Sequence, residues 1–369
     1  MGRCGIMAGF PIEKILVEGN ADQYGLSRRI QKKMPDIPRV TSSATRDGSA
    51  PYSLDRGKKT LHLLEYSGEL LKPCPGTTNH ICCGYQILNV ATNCPLDCSY
   101  CILQSYFNEP DLRVFINIKE RIEEVLHLID SHPDKIFRIG TGEFTDSLAL
   151  DPLVGWADML VPLFAKRKNA ILELKTKTTN IDRLLKLPER DQIIISWSLN
   201  SPTVTATEEH KAASISKRLE AARICQSEGF IIGFHFDPLI PHPGWQEDYP
   251  RTLDLLDRFI DPARIIWISM GSFRFMPQLK AIIRQRHPQS TVLDGEFVRG
   301  MDGKMRYFKP IRMELYRFMR EHLETWYNNL GLYLCMESDE IWRKTFGWTP
   351  QNTDGLSRFL DSRVKRFFG

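Results

Sequence analysis

Three cysteines with short, unequal spacing are the residues whose chemistry is easiest to interpret in this sequence. Cys94, Cys98 and Cys101 stand in the run Asn-Cys-Pro-Leu-Asp-Cys-Ser-Tyr-Cys, a C-x3-C-x2-C spacing. Cysteine thiolates hold iron–sulfur clusters, and such short spacings allow a single loop to supply several corners of a cubane. Three ligands leave one iron of a [4Fe–4S] cluster free to chelate a small molecule. The spacing therefore predicts a [4Fe–4S] cluster on this loop.

Two other interpretations of the three cysteines stay open. One is a zinc site, which normally uses paired C-x2-C knuckles or added histidines, and no such partner pair is evident. The other is a set of unligated buried thiols. Six of the nine cysteines fall between Cys74 and Cys101, and we find no secretory signal in residues 1–10. Clustered thiols without an export signal are typical of a reducing cytoplasm, where they bind metal more often than they form disulfides.

The composition is that of a folded protein without membrane spans. The 369 residues are 42% hydrophobic and 25% charged, and no apolar run reaches the roughly 18–20 residues that a membrane span requires. We therefore expect no membrane partner. The net charge of +4 is modest and does not by itself indicate a nucleic-acid binder. From Gly300 onward there are twelve Lys and Arg against nine Asp and Glu, so most of the excess lies near the C-terminus.

Apolar segments that alternate with amphipathic ones must position the cysteine loop. Six tandem β-α units imply a parallel sheet with right-handed crossovers. The count and length predict an α/β fold built on a partial TIM-type (β/α)6 barrel, with a doubly wound open sheet as the alternative. In a barrel, active residues sit at the carboxyl ends of the strands, and the cysteine loop follows the first strand. The predicted strands are 86–90, 136–139, 171–174, 193–199, 230–237 and 265–270, and the main predicted helices are 119–130, 148–166 and 214–228.

The sequence predicts three units: a small N-terminal α/β lead-in (1–83), the barrel (84–290), and a C-terminal hairpin with helices (291–369). The two terminal units have recognisable patterns of their own, with a Gly-Met-Asp-Gly turn at 300–303 between the hairpin strands. Their predicted segments are a strand at 14–18, a helix at 24–33, a polar loop at 39–56, hairpin strands at 291–298 and 304–308, and helices at 311–329 and 355–368.

The cysteine motif matches the signature of the radical S-adenosylmethionine superfamily, and the wider sequence resembles the spore photoproduct lyase family. The resemblance runs from about residue 14 to 318, with motif segments in order at 138–153, 177–185, 197–200 and 229–245. It implies that the open iron binds S-adenosylmethionine. A low-potential donor such as ferredoxin or flavodoxin would reduce the cluster, and the cofactor would yield a 5′-deoxyadenosyl radical that abstracts a substrate hydrogen. The family's substrate, a thymine dimer in DNA, makes DNA the expected partner and a DNA repair lyase the expected activity.

The resemblance also implies which residues contact the cofactor. They lie after the second, third and fourth predicted strands, where a barrel would bring them together. The ordinary alternatives are a solvated lysine and strand-end turns. The implied cofactor-binding residues are Thr145, Asp146, Lys177, Ser198 and Asn200.

The sequence departs from the family on the path that returns hydrogen to the product. The family keeps a fourth cysteine there, in an Ala-Cys-Thr-Ser-Asp context, and Glu143 occupies that position. A carboxylic O–H bond is far too strong to donate a hydrogen atom. A tyrosine that follows the third cluster cysteine in the family is Ile102 here, whereas Tyr100 matches the preceding tyrosine. We take Glu143 and Tyr100 as the candidate catalytic positions, with Glu143 either bound to the cofactor's amino group or paired with a neighbouring Lys or Arg.

Several further residues are left with open interpretations. Cys74, Cys82 and Cys83 would supply the missing thiol, join a second metal site, or be structural; Cys4, Cys225 and Cys335 receive no role. A loop after the fifth strand either lines the substrate pocket or packs ordinarily, and cations with interleaved aromatics in the C-terminal region either contact DNA phosphates or are solvated. These residues are His235, His242 and Trp245 in the loop, then Arg299, Lys304, Arg306, Tyr307 and Lys309 in the hairpin, with Arg274, Lys280, Arg284 and Arg286 nearby.

The leading hypothesis has two alternatives. One is a radical S-adenosylmethionine relative that acts on a different substrate. The other is a nucleic-acid-binding module whose cluster is structural or redox-sensing.

Overall fold

We describe the protein from a computed structural model, in which residues 11–42, 53–77 and 79–369 are described. Residues 1–10, which include Cys4 and the segment examined for a secretory signal, lie outside these ranges. Most of the predicted polar loop at 39–56 lies outside them too. The described part of that loop begins with a strand and ends in a short helix. No helix within the described ranges is long and apolar enough to cross a membrane.

The strands form three sheets. The strands are β1 Lys14–Glu18, β2 Arg39–Ser42, β3 Thr60–Leu64, β4 Leu71–Pro73, β5 Gln86–Leu88, β6 Ala91–Thr92, β7 Leu112–Phe115, β8 Phe137–Gly140, β9 Ala170–Thr176, β10 Ile193–Ser198, β11 Ile231–Leu239, β12 Ile265–Ser272, β13 Arg274–Phe275, β14 Phe297–Arg299, β15 Met305–Tyr307 and β16 Leu332–Leu334.

The largest sheet is an open, curled half-barrel of eight strands in the order β16-β12-β11-β10-β9-β8-β5-β4. Its six central strands, β5 and β8 to β12, are the six predicted for the barrel, and all of them pair in parallel. Apart from the antiparallel edge strand β4, the order follows the chain without reversal. A doubly wound sheet needs a point where the order reverses. The partial barrel is therefore confirmed, and the alternative is excluded.

The helices mostly cover the strands. All six residues of β10 are buried, as expected for a parallel strand that is covered on both faces. The helices are α1 Gly25–Lys33, α2 Leu54–Gly57, α3 Leu103–Tyr106, α4 Ile118–Asp130, α5 Asp151–Val154, α6 Trp156–Phe164, α7 Asp182–Lys186, α8 Pro202–Glu208, α9 Ile215–Ser227, α10 Trp245–Phe259, α11 Leu279–Arg286, α12 Lys309–Trp326, α13 Asp339–Phe346 and α14 Thr353–Phe368.

One long predicted helix is wrong. The segment 148–166 contains two helices, α5 and α6, which meet at Gly155 with a φ of 64°. A left-handed residue ends a helix, and glycine takes this conformation without steric cost. The side chain of Asp151 then accepts a hydrogen bond of 2.9 Å from the backbone N–H of Ala157 in the second helix. The break comes from glycine chemistry that apolar periodicity alone does not register.

The C-terminal hairpin exists but is shorter than predicted. The strands β14 and β15 pair antiparallel around the glycine turn, and β13 adds a third strand on the other side of β15. The predicted first strand, 291–298, is irregular up to residue 296.

Strands cross the limits of the predicted units. β4 joins the barrel sheet from the N-terminal region, β7 joins the five-stranded N-terminal sheet, and β16 extends the barrel sheet from the C-terminal region. The division into 1–83, 84–290 and 291–369 stays a prediction about folding units.

Candidate active site

The three cluster cysteines line a cavity at the carboxyl ends of the barrel strands. Cys94, Cys98 and Cys101 share this cavity, of about 670 Å³, with the strand-end residues Lys177 and Ser198. Consecutive parallel strands deliver their carboxyl ends to one edge of the sheet, which explains why residues far apart in sequence meet here. The volume lies within the range of small-molecule sites in proteins.

The cysteine loop is held by bonds to the chain around it. Asn93 and Asp97 adopt positive φ values of 67° and 58°, which asparagine and aspartate tolerate better than other non-glycine residues. The Asn93 amide donates to the carbonyls of Glu109 and Asp111, at 2.8 and 2.7 Å. The Lys58 ammonium donates to the Cys94 carbonyl at 2.8 Å. These contacts give the loop a defined shape without any bond to a thiol.

A buried charge network lies against Cys98. Glu209, which is 3% exposed, binds Lys177 at 2.9 Å, pairs with Arg218, and accepts a hydrogen bond from the Tyr100 hydroxyl. The Lys177 ammonium also donates to the Tyr100 oxygen and lies 3.9 Å from the Cys98 sulfur. Burial opposes a charge on Glu209, but Arg218 and Lys177 lower its pKa to about 2. Burial and Glu209 raise the pKa of Tyr100. Glu209 therefore stays ionised and Tyr100 stays a neutral phenol.

The adjacent Glu208 ties the same loop to a later segment. Its carboxylate accepts from Ser99 in the cysteine loop, from the Ser290 hydroxyl at 2.7 Å, and from the Thr291 backbone at 3.2 Å. Sequence reasoning missed both Glu208 and Glu209. The one signal available was their position in the stretch that follows the fourth barrel strand.

Thr145 and Asp146 have different environments. The Thr145 hydroxyl is buried at the cavity and has no hydrogen-bond partner. The Asp146 carboxylate also lines the cavity, but it accepts four bonds: the backbone N–H of Leu148 and Ala149, the Thr176 hydroxyl, and the backbone N–H of Lys177. Asp146 thereby fixes the turn after β8 to the end of β9.

Ser198 and Asn200 are also separated by the structure. Ser198 lines the cavity, and its carbonyl accepts a bond of 2.8 Å from Arg218. Asn200 is 1% exposed and is not among the residues that line the cavity. Its amide nitrogen donates to the Pro238 carbonyl at 2.8 Å, and its oxygen accepts from the Tyr249 hydroxyl at 2.8 Å. A direct cofactor contact, as expected from the sequence, would require these bonds to break.

Glu143 is paired with a lysine, which was one of the two predicted alternatives. Its carboxylate binds Lys175, and both side chains line the cavity. Burial works against a charge on Lys175, but Glu143 and then Glu173 raise its pKa. Two further pairs line the same wall, Glu173 with His235 at 2.9 Å and Asp237 with Arg274 at 3.1 Å. Of the loop residues singled out with His235, neither His242 nor Trp245 lines the cavity.

Three cysteines outside the motif reach the same cavity. Cys74, Cys83 and Cys335 line it, whereas Cys82 does not. Burial raises the pKa of each of the three lining thiols, so they remain protonated at neutral pH. Cys74 and Cys83 both lie close enough to Glu143 for its charge to raise their pKa further. Cys335 had no role in the sequence interpretation.

The donor set fits a cluster with a small polar ligand. Within the described ranges, no three His, Cys, Asp or Glu side chains converge as a single-ion site requires. A cubane is held at separate corners by separate thiolates, and the three motif cysteines line one cavity. Lys177 and Ser198 line the same cavity and offer a cation and a hydroxyl to such a ligand.

Several residues predicted to contact phosphates are paired with carboxylates or buried instead. Arg286 donates to Asp55 and Asp97 at 2.6 and 2.9 Å, and its side chain is 6% exposed. Arg306 pairs with Asp302 at 4% exposure, and Tyr307 is buried. These three interpretations as surface contacts are wrong, because carboxylates or core packing engage the side chains. Arg299 remains exposed on the hairpin.

Comparison with known proteins identifies the family of the chain. A sequence model of the spore photoproduct lyase family matches residues 77–330, more than half of the chain. The chain belongs to the spore photoproduct lyase family. Curated members of the family include one from Bacillus subtilis (strain 168), 25% identical over 65% of this chain and 72% of that protein, and one from Clostridium acetobutylicum, 23% identical over 87% and 95%. A Geobacillus member is 26% identical over 54% of this chain, and the alignment spans only 60% of that protein.

Solved structures of the family share the fold. A spore photoproduct lyase complexed with dinucleoside spore photoproduct superimposes with a TM-score of 0.77 at 23% identity, covering 88% of this chain and 99% of that one. A double mutant of spore photoproduct lyase with bound AdoMet and dinucleoside spore photoproduct gives a TM-score of 0.76 at 23% identity, covering 89% and 100%. At this identity the likeness concerns the fold.

Proposed function

We propose that this protein is a radical S-adenosylmethionine enzyme that repairs a thymine-dimer lesion of the spore photoproduct type in DNA. The observation that carries the proposal is the convergence on one cavity of the three motif thiols, the strand-end residues Lys177 and Ser198, and the charged pairs that include Glu143–Lys175, which we call the substrate wall. Family membership and the relatives' names supply the lesion class.

The proposed roles follow from the contacts. Cys94, Cys98 and Cys101 hold a [4Fe–4S] cluster, and Thr145, Lys177 and Ser198 contact S-adenosylmethionine. When bound, these two groups supply the electron and the carbon-centred radical chemistry. Asp146 and Asn200 act as positioning residues, since their polar atoms already bind protein groups. Tyr100 fixes the Lys177 ammonium between Cys98 and Glu209.

Glu143 cannot return hydrogen to the product, so we infer that a thiol on the same wall does. The S–H bond of Cys74 or Cys83 would break as a C–H bond forms on the substrate carbon radical, which leaves a thiyl radical. The thiyl radical would regain hydrogen from 5′-deoxyadenosine, or an electron and a proton from the external reductant. The raised pKa of both thiols keeps the hydrogen in place for this transfer. Glu143 instead holds Lys175 on the substrate wall.

Removal of the donor thiol should uncouple cofactor cleavage from repair. We expect Cys74→Ala or Cys83→Ala to lower the yield of repaired product per 5′-deoxyadenosine by about tenfold or more, while cluster content stays normal. Cys82→Ala is the matched control, because Cys82 neighbours Cys83 without lining the cavity. Product analysis by liquid chromatography measures the ratio. Unchanged ratios in the Cys74, Cys83 and double variants would contradict the thiol assignment.

DNA is the proposed partner, and the hairpin is the proposed point of entry. Met301 is 90% exposed at the turn, and Val298 is 43% exposed beside it. Apolar side chains that enter a base stack help to open a duplex, while nearby cations neutralise phosphates. Arg299 is the exposed cation of this hairpin.

Replacement of the hairpin residues should weaken DNA binding in two different ways. We expect Arg299→Ala to reduce the salt dependence of duplex affinity by about one counterion. Met301→Ser should leave the salt dependence unchanged and reduce repair in duplex DNA more than repair of the dinucleoside. Fluorescence anisotropy over a salt series tests the first effect. Equal salt slopes for the wild type and Arg299→Ala would remove Arg299 from the interface.

The electron donor and compartment follow from the same chemistry. We infer a low-potential ferredoxin or flavodoxin as the reductant and the cytoplasm as the compartment. Support comes from the eight described cysteines, none of which forms a disulfide, as expected in a reducing environment.

The test of the function is cofactor cleavage. Protein reconstituted anaerobically with iron and sulfide, then given dithionite and S-adenosylmethionine, is expected to release 5′-deoxyadenosine. An intact cluster that releases none would instead support a binding module with a structural or redox-sensing cluster.

A further inference from the structure

Large exposed apolar side chains concentrate at the opening of the cavity. The described part of the chain has nine of them, and three line this one cavity: Ile102 (49% exposed), Tyr106 (49%) and Met276 (39%). Scattered single apolar residues on a surface need no explanation, but a group around the mouth of a deep site marks a surface that binds something.

Aromatic rings form the body of this rim. The ring of Tyr106 is stacked on that of Phe144, with centroids 5.6 Å apart and planes 25° apart. Phe107 packs edge-on against both, at 5.0 and 5.6 Å. Phe144 follows Glu143 in the chain and lines the cavity, so the stack is continuous with the substrate wall. Half of Tyr106 stays exposed although its ring is held by two neighbours.

The two parts of the site demand different chemistry from one ligand. The interior wall carries the pairs Glu143–Lys175 and Asp237–Arg274. A lipid or a wholly apolar ligand would remove water from these charges without replacing its hydrogen bonds, which costs free energy. The rim offers ring faces. A nucleobase satisfies both, because it has a π-face that stacks and edges that form hydrogen bonds.

Size places a second base at the rim. The cavity of about 670 Å³ is of the size that holds small molecules, and under the proposed function it is shared by the cofactor and the lesion. A nucleotide next to the lesion in the same strand must therefore lie at the opening, where Tyr106 stands.

We propose that Tyr106, supported by Phe144 and Phe107, is a stacking subsite for the nucleobase that flanks the lesion. This inference rests on the proposed function for the identity of the strand. Stacking on an aromatic side chain is tolerant of sequence, so the subsite adds affinity for longer strands without selecting a flanking base.

The test compares a dinucleoside spore photoproduct with tetranucleotides that carry the same lesion and 2-aminopurine on either side of it. Reconstituted holoprotein is used, with Tyr106→Ala, Tyr106→Phe and, as a control, Leu128→Ala, which removes a 41% exposed apolar side chain from the outer helix α4. We expect Tyr106→Ala to weaken tetranucleotide binding by between about 5-fold and 150-fold. It should also relieve 2-aminopurine quenching, and Tyr106→Phe should restore both. Dinucleoside conversion should be unchanged in Leu128→Ala, and in Tyr106→Ala it should change far less than tetranucleotide affinity, because the dinucleoside has no flanking base.

The outcomes separate the two proposals. Equal tetranucleotide affinity and quenching in the wild type and Tyr106→Ala, with normal dinucleoside conversion, overturns the subsite and leaves the proposed function intact. Quenching that depends on Tyr106 without conversion of either substrate supports the subsite and overturns the lesion assignment.

Discussion

Replacing Cys98 with alanine is expected to abolish cluster binding and reduce 5′-deoxyadenosine release to background. Each thiolate holds one iron of the cubane, and the motif supplies three thiolates. Cys98 is 7% exposed and is the middle cysteine of the motif. Its backbone carbonyl accepts a hydrogen bond from the Gln104 side-chain amide, and its sulfur lies 3.9 Å from the Lys177 ammonium of the Glu209 network. No other motif cysteine can take its place without moving the loop. Iron and sulfide content, visible absorption and electron paramagnetic resonance of the reduced protein measure the effect.

Cys225→Ala is the matched control for this loss. Cys225 is also buried, but it packs in helix α9 and does not line the cavity. We expect this variant to bind the cluster normally. Full iron content and normal cofactor cleavage in Cys98→Ala would refute the assignment of the triad.

Glu209→Gln should strongly destabilise the fold while it leaves every proposed ligand in place. The change removes the one carboxylate that pairs with both Lys177 and Arg218, and it leaves the fully buried Arg218 and the partly buried Lys177 without that partner. Breaking a buried pair in this way typically costs about 3–5 kcal/mol of the free energy of unfolding. Urea unfolding under anaerobic conditions measures it. The matched control is Glu124→Gln, which breaks an exposed pair with Arg121 and should not change the urea midpoint.

The pH dependence of stability provides an independent test of the same residue. The pKa of Glu209 is lowered to about 2 in the folded protein. A lowered folded pKa gives stability that is present above the ordinary glutamate value and is lost as the pH falls from there towards 2. We expect wild-type stability to fall steeply below about pH 4.5, and the slope to be smaller in Glu209→Gln. Part of the slope should remain, because the pKa of Glu173 is also lowered to about 2. Parallel slopes would contradict the ionised, paired state of Glu209.

The fold was predictable to the extent that it depends on local pattern. The six barrel strands are short apolar runs separated by amphipathic helices, and each run is found within a few residues of its predicted place. The broken helix at Gly155 was missed, because a left-handed glycine inside an apolar stretch leaves the periodicity unchanged. The strands β4 and β16 were missed as barrel members for another reason. Their partners in the sheet are set by tertiary packing, which no local pattern encodes.

The site was predictable at the positions that motifs carry. The cysteine motif and the strand-end residues Thr145, Lys177 and Ser198 meet in the cavity as the barrel rule implies. Asn200 lies at a strand end too, yet its side chain binds Pro238 and Tyr249. A position at a strand end does not by itself show whether a polar side chain faces the cavity or binds other protein groups.

The charges were harder to predict than the thiols. Arg286 and Arg306 resemble surface cations in sequence. In the folded chain both side chains are buried, and they pair with carboxylates that are distant in the chain or across a turn. Glu209 pairs with residues from two other elements of the barrel, and its partners are known only once the sheet is folded. Pairing that depends on the folded chain decides which charged residues face a ligand and which hold the cysteine loop.

The central claim is that this cavity repairs a thymine-dimer lesion by radical chemistry. Its most direct test is the incubation of anaerobically reconstituted protein with dithionite, S-adenosylmethionine and dinucleoside spore photoproduct, followed by product analysis. We expect the lesion to be converted to unlinked thymidines together with formation of 5′-deoxyadenosine, and we expect neither product with Cys98→Ala. Release of 5′-deoxyadenosine without any loss of the lesion would contradict it and assign the cavity to a different substrate.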